Sequence, residues 1–293
     1  SYCLFTYNQE CFVKATVEAV LSQTYSPLEI IISDDCSSDQ TFKIIEEVVR
    51  AYEGPHQVIT NRNEINLGIG AHVSSIVERT IGKFIIMVGG DDISSPDHVK
   101  MAVDVIQASG GAYMVDFDAS TINEDGDLIK GRRAVRNSVT YNLEDFITDR
   151  RKISSFAPGR IIHRDVVDKF PSIASSCPTE DTVFLLRALM LGKLRREPIN
   201  LIQYRRTESS VSSSANIAQL SVDGIIDQYY VDIEHALAKG IISEVDGQRL
   251  RRRVAFESFK RHAKMRKNKG FICAKLARLK IKFHSLLYRW GLT

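Results

Sequence analysis

Residues 28–41 read LEIIISDDCSSDQT, a nearly unbroken apolar run that turns abruptly into three carboxylates and four hydroxyls. A short isoleucine-rich run interrupted only by Glu29 has the composition of a strand buried on both faces. The polar residues that follow mark its carboxyl end. Thr41–Tyr52 then places Phe42, Ile45, Val48, Val49 and Tyr52 at helical spacing, with Asp39 suited to capping that helix. The unit decided here is strand, acidic turn, helix.

The same unit recurs on either side. Cys3–Thr6 reads as a strand and Phe12–Gln23 as a helix closed before Pro27. His56–Thr60 is a weaker strand and Ala71–Arg79 a helix. FIIMV at 84–88 is another buried strand, followed by a helix that Pro96 would open and that runs to Ala108. AYMVDFDA at 112–119 is again a strand. Strands alternating with helices predict a mostly parallel α/β sheet flanked by helices. Beyond residue 120 the spacing loosens. NEDGD at 123–127 predicts a hairpin turn, Asn142–Arg151 a helix and Arg160–His163 a strand end. Glu180–Leu191 is a helix, Leu201–Arg205 a strand and 209–216 a polar loop. The remainder is helical, with breaks expected near Gly240, Gly247 and Gly270. The expected division is an α/β domain over 1–215 and a helical, basic C-terminal extension over 216–293.

Composition is that of an ordinary globular chain, 44% hydrophobic and 26% charged. No apolar run approaches the ~20 residues a bilayer span needs. The five cysteines are scattered, without CxxC spacing, which argues against a zinc site or disulfide framework and for a reducing, cytoplasmic setting. The net charge of +3 hides a division. Residues 249–293 hold fifteen Lys or Arg and one acid, +14, whereas residues 1–248 hold 24 basic and 35 acidic residues, −11.

In open parallel sheets, ligands bind beyond the carboxyl ends of the strands. Three strand ends here carry polar clusters: Thr6-Tyr7-Asn8, Ser33-Asp34-Asp35 and Gly89-Gly90-Asp91-Asp92. Two aspartate pairs on one rim repel, and a divalent cation completed by phosphate oxygens would relieve that repulsion.

TYN at 6–8, a helix followed by LSQTY at 21–25, LEIIISDDCSSDQT, NLG at 66–68 and GGDDISSP at 89–96 together resemble the family 2 glycosyltransferases of the GT-A fold. TED at 179–181, heading an apolar helix, resembles their later motif. The resemblance covers about residues 2–212. It implies a Rossmann-like GT-A domain, a nucleotide-sugar donor of UDP or dTDP type, and a saccharide or lipid-linked acceptor in surface polysaccharide synthesis. It also implies a Mg²⁺ or Mn²⁺ ion and inversion at the anomeric carbon. By motif position Asp35 would meet the nucleobase, beside Phe5 and Thr6. Asp91 would hold the metal, and Asp92 would support it or touch the sugar. Asp181 would be the general base, with Glu180 contacting the acceptor or holding geometry. Two positions depart from the family pattern. Gly89 stands where an aspartate is common, and Thr207 where a histidine often follows a YRR-like stretch. Arg205 or Arg206 would then take part of the diphosphate charge. His72, after NLG, reads as a satisfied surface histidine.

Residues 271–290, FICAKLARLKIKFHSLLYRW, put an apolar stripe beside basic residues and end in Trp290. That pattern suits a helix lying on an anionic membrane, here the inner face of the cell membrane, rather than nucleic acid, for which no reading motif is present. Two other functions fit paired aspartates on this sheet: a nucleotidyltransferase, which would want a basic Gly-rich phosphate loop near the first strand, and a non-catalytic scaffold retaining the fold.

Overall fold

The structure, a computed structural model, describes residues 1–129, 135–207 and 221–267. The 209–216 loop, the 215/216 boundary, the break at Gly270 and the 271–290 stripe lie outside the described residues.

The strands β1 (Tyr2–Thr6), β2 (Glu29–Asp34), β3 (Gln57–Arg62) and β4 (Phe84–Gly89) form a parallel block in the order β3-β2-β1-β4. The sheet continues through β9 (Ile161–His163), β6 (Ala112–Ile122), β10 (Lys193–Arg205) and the short β5 (Ile93–Ser94). β9 runs antiparallel to both neighbours, and β10 lies parallel to β6. Two short strands, β7 (Leu128–Ile129) and β8 (Val139–Tyr141), pair with β6 and β10. This is the mostly parallel α/β sheet that the sequence predicts.

The period-two alternation of each strand sends side chains to two separate cores. Leu4, Ile30, Ile32 and Val88 pack beneath α1 (Val13–Leu21), α2 (Thr41–Arg50) and α4 (His98–Ala108). Cys3, Ile31, Ile85 and Met87 pack on the other face. That face is covered by α3 (Ile69–Val77), α5 (Leu143–Thr148), α6 (Asp165–Asp168) and α7 (Asp181–Leu191). The C-terminal helices α8 (Val222–Ala238) and α9 (Glu244–Lys267) join the second core through Ile225, Tyr229, Ile233, Leu250 and Val254.

Several boundaries differ from the sequence reading. Pro96 precedes α4 by two residues rather than opening it. The helix after Asn142 stops at Thr148, started by an Asn142–Asp145 capping box and ended by Asp149 in the left-handed region at φ 51°. β10 begins at Lys193, eight residues earlier than expected, because the charged residues Arg195, Arg196 and Glu197 occupy strand positions. Arg196 pairs with buried Asp118, and Arg195 with Glu197. No break occurs at Gly247: α9 runs through it, and a Cβ there would stand 2.6 Å from Leu237 Cδ2. His72 is buried, 3% exposed, not on the surface.

α8 shapes the segment that precedes α7. Arg187 of α7 pairs with Asp232 of α8 at 2.6 Å, and Ala174 N donates to Gln228 Oε1 at 2.8 Å. Gly224 then lies so close that an added Cβ would come 2.0 Å from Ser176 O. From the other side, a Cβ on Gly70 of α3 would come 2.2 Å from Cys177 O. The 176–179 backbone is thus gripped between two glycines.

Two predictions follow from this packing. Gly224→Ala must displace backbone rather than a flexible side chain, and should cost about 1–3 kcal/mol of stability, read from urea unfolding; unchanged stability would show that the grip yields freely. The second concerns His98, which is fully buried, with Nε2 against Gly159 O at 2.9 Å and Nδ1 against Tyr2 Oη at 3.1 Å. Burial pushes its imidazole down to about 4. It stays neutral in the fold but charges near 6.5 once unfolded, so its stabilisation is complete above pH 6.5 and falls away towards pH 4. The loss should approach roughly 3 kcal/mol, and His98→Gln should show a shallower decline over that window.

Candidate active site

The site grows from strand register. β1 lies between β2 and β4, with Thr6 opposite Asp34, and Phe5 opposite both Ser33 and Gly89. Phe5, Thr6, Asp35, Asp91 and Asp92 therefore arrive at one rim.

The two adjacent aspartates at the end of β2 have different surroundings. Asp34 is fully buried and accepts from Thr6 Oγ1 at 3.1 Å, from Ser37 N at 2.9 Å and from the Ser37 hydroxyl; Arg62 Nε stands 3.6 Å away. It ties β1 to the turn. Asp35 organises the loop after β3. Its Oδ1 accepts from Asn63 Nδ2 at 2.8 Å and Leu67 N at 2.9 Å, and its Oδ2 from Gly68 N at 2.9 Å. NLG thus acts through backbone N–H groups.

Phe5 meets the edge of His72 at 5.2 Å between ring centres. His72 Nε2 lies 2.6 Å from Ser33 Oγ, which accepts from Asn61 Nδ2 at 2.9 Å. Burial lowers the His72 pKa, opposed by the Asp35 and Asp34 charges. A neutral imidazole accepting the Ser33 proton fits this arrangement.

At the end of β4, Gly90 packs against the first turn: a Cβ there would meet Gln9 Oε1 at 2.3 Å. Burial raises the Asp91 carboxyl, partly offset by Arg205 and Gln9. Asp92 is raised further, by burial and then by the Asp91 charge. Arg205 braces this turn. Its N donates to Asp92 Oδ1 at 3.0 Å, its Nε to Asp91 O at 3.0 Å, and its Nη1 to the carbonyls of Asn123 and Glu124 at 2.9 and 2.7 Å. Arg205 is 6% exposed and lies over the Phe12 ring, whereas Arg206 is exposed.

Among the described residues no group of three or more His, Cys, Asp or Glu side chains is placed to hold a metal ion. The space at residue 89 is part of the reason. A Cβ on Gly89 would face the carboxylates, 3.0 Å from Asp91 Oδ1 and 3.8 Å from Asp92 Oδ2. The donor set is an aspartate pair, one member of which already accepts from Arg205 N. That chemistry fits a hard cation such as Mg²⁺ or Mn²⁺ taking most of its ligands from phosphates and water.

Glu180 and Asp181 head α7, a different segment from the one that carries this pair. The Asp181 side chain is 45% exposed. Glu180 Oε2 is buried without a hydrogen-bond partner, and burial followed by the Asp181 charge raises its carboxyl well above the ordinary glutamate range. Fully buried Arg160 reaches Asp181 O at 2.8 Å. The α3 contact with Cys177 connects this segment to the loop that Asp35 holds. Sequence reading missed Asn63, Arg160 and its partner Asp116, and it placed His72 outside the packing. None of the four carries a motif signal, because their partners are distant in sequence.

Residues 1–170 match the sequence model of "Glycosyl transferase family 2". The chain belongs to that family. A Haemophilus influenzae protein named "Uncharacterized glycosyltransferase" is 24% identical over 244 residues, spanning 79% of this chain and 77% of that protein. The Escherichia coli "UDP-Glc:alpha-D-GlcNAc-diphosphoundecaprenol beta-1,3-glucosyltransferase WfgD" is 28% identical over 138 residues, spanning 47% of this chain and 51% of that one. Among solved structures, S. aureus TarS 1-349 in complex with UDP-GlcNAc superposes with a TM-score of 0.63 at 16% identity, covering 100% of this chain and 79% of that one. That likeness concerns the fold.

The Asp35 contacts yield a direct test. In Asp35→Ala, amide hydrogen exchange at Leu67 and Gly68 should speed up by about 10–100-fold, the loss of one charge-assisted hydrogen bond each, while Val73 in α3 keeps its protection. Unchanged exchange at both amides would mean that the carboxylate does not hold the loop.

Proposed function

We propose that this family 2 glycosyltransferase moves a sugar from a uridine- or thymidine-diphosphate donor to a hydroxyl of a saccharide or lipid-linked acceptor, with inversion, in bacterial surface polysaccharide synthesis. One observation carries the mechanism: a half-exposed carboxylate, Asp181, stands on a different segment from the Asp91–Asp92 rim. Inversion in one displacement needs a base on the face opposite the leaving group, and such a base must come from elsewhere in the chain. The UDP-GlcNAc complex of TarS and the specificity stated in the name of the E. coli relative support the donor and acceptor classes.

In this reading the nucleobase lies beside Phe5 and Thr6. Asp35 Oδ2, which accepts one N–H in the structure, has a second lone pair for a base N–H donor. Asp91, with Asp92 behind it, would hold Mg²⁺ or Mn²⁺, which as a Lewis acid would offset charge on the departing diphosphate. Arg205 holds the Asp91 turn through carbonyls, leaving exposed Arg206 as the cation better placed to meet phosphate oxygens. Asp181 takes the acceptor hydroxyl's proton as the new bond forms. Glu180, its carboxyl raised by burial and then by the Asp181 charge, lines the acceptor side or holds the geometry beside the base.

No helix among the described residues is long and apolar enough to cross a membrane. We place the protein on the inner membrane face through the basic, apolar-striped 271–290 stretch, on sequence grounds.

The test is a panel of nucleotide sugars with and without Mn²⁺, read first as thermal shift and then as nucleoside diphosphate release. A donor should raise the melting temperature and be turned over. Asp181→Asn should keep the shift and lose about 10²–10⁴-fold in rate. Asp91→Ala should lose only the Mn²⁺-dependent part of binding. Pyrophosphate as the product would point to nucleotidyl transfer, and binding without turnover to a scaffold.

A further inference from the structure

Arg160 occupies the junction between the sheet and the head of α7. It is 2% exposed, and Asp116 on β6 is fully buried beside it. Arg160 Nε donates to Asp116 Oδ1 at 3.1 Å, and Nη2 to Ser155 Oγ at 2.9 Å. Ser155 Oγ and Phe156 N both donate to Asp116 Oδ2 at 2.7 Å. Asp116 therefore has its own set of donors and neutralises the guanidinium. The remaining nitrogen, Nη1, points the other way: it donates to Asp181 O at 2.8 Å and stands 3.7 Å from Asp181 Oδ1.

A buried guanidinium needs one counter-ion, and Asp116 meets that need. The contact with residue 181 adds something else. It fixes both the backbone and the carboxylate of a half-exposed side chain from inside the protein. Its direction also distinguishes between neighbours. The guanidinium hydrogen-bonds residue 181 directly, whereas Glu180 feels only its charge and keeps one buried oxygen, Oε2, without a partner.

We propose that Arg160 is a positioning residue: it fixes the Asp181 carboxylate at the head of α7 and biases the negative charge of the Glu180–Asp181 pair towards Asp181. This rests on the reading of Asp181 as the base. Burial and then the Asp181 charge raise the Glu180 carboxyl, and the Arg160 charge opposes that rise only in part. The other charged groups on elements packed nearby are the Arg187–Asp232 pair between α7 and α8, and Glu257 and Arg261 of α9 beside Tyr229.

Arg160→Met alone would leave Asp116 buried without its counter-ion and threatens folding. Arg160→Met/Asp116→Leu removes both charges together, an exchange that buried pairs often tolerate. Circular dichroism and the thermal shift given by UDP check that the double variant folds. The first readout is carboxyl ¹³C NMR over a pH series, with the pair's signals identified from Glu180→Gln and Asp181→Asn. The guanidinium lies between Asp116 and Asp181, so the loss of the nearer cation outweighs the loss of the anion behind it, and the pair should take up its first proton about one pH unit higher in the double variant. The second readout is donor turnover: kcat should fall about tenfold or more while the donor KM holds, as expected of a group that acts on the base and not on nucleotide binding. Arg160→Lys keeps the charge without the planar fork, so it should restore the titration and not kcat.

An unchanged titration in the folded double variant would overturn the proposal, as would wild-type kcat. If the unmodified protein turns over no nucleotide sugar, the functional reading fails, and the NMR series still decides whether Arg160 sets the charge on the pair.

Discussion

The register of three parallel strands is the constraint on which the site depends. Thr6 opposite Asp34, and Phe5 opposite Gly89, bring three strand ends to a common level. That register is enforced from below. Cys3 and Ile31 belong to one core, Leu4 and Ile32 to the other. A slip of one residue in any of these strands would exchange its two faces between cores of different shape. Apolar packing thus fixes where the polar residues end up.

Charge at the rim is then managed residue by residue. Asp34 is fully committed to protein donors. Asp35 shapes a loop and retains capacity at one oxygen. Asp91 and Asp92 are the least relieved, and burial raises both. The gradient runs from fully bonded aspartates inside the parallel block to sparsely bonded ones at its edge, and it arises from the donors each strand end finds nearby.

Much of this was legible in the sequence. EIIISD and FIIMVG announce themselves because a strand buried on both faces has nowhere to put polar residues, so it reads as an apolar run that stops abruptly at the rim. The first half of β10 was hidden for the opposite reason: Arg195, Arg196 and Glu197 look like a solvated surface, yet Arg195 pairs with Glu197 along the strand and Arg196 neutralises Asp118, which only the folded sheet brings near. Arg205 shows the same limit. Its motif position suggested a diphosphate contact, whereas its guanidinium mainly meets main-chain carbonyls from the 91–92 and 123–124 turns. His72 looked exposed because a helix start usually is; the packing of α3 on Phe5 and Ser33 buries it. Arg160 carried no local signal, since its meaning lies in Asp116, 44 residues away.

The two glycines that grip residues 176–179 have a mechanical consequence. Gly70 belongs to the helix that begins where Asp35 captures Gly68, and Cys177 lies four residues before Asp181. With no side chain between them, the two backbones form one shared wall. Neither segment can breathe alone without opening a gap between main chains or driving one into the other. The loop that Asp35 holds and the head of α7 therefore have a common stiffness, and whatever rigidifies the first narrows the thermal wandering of the second.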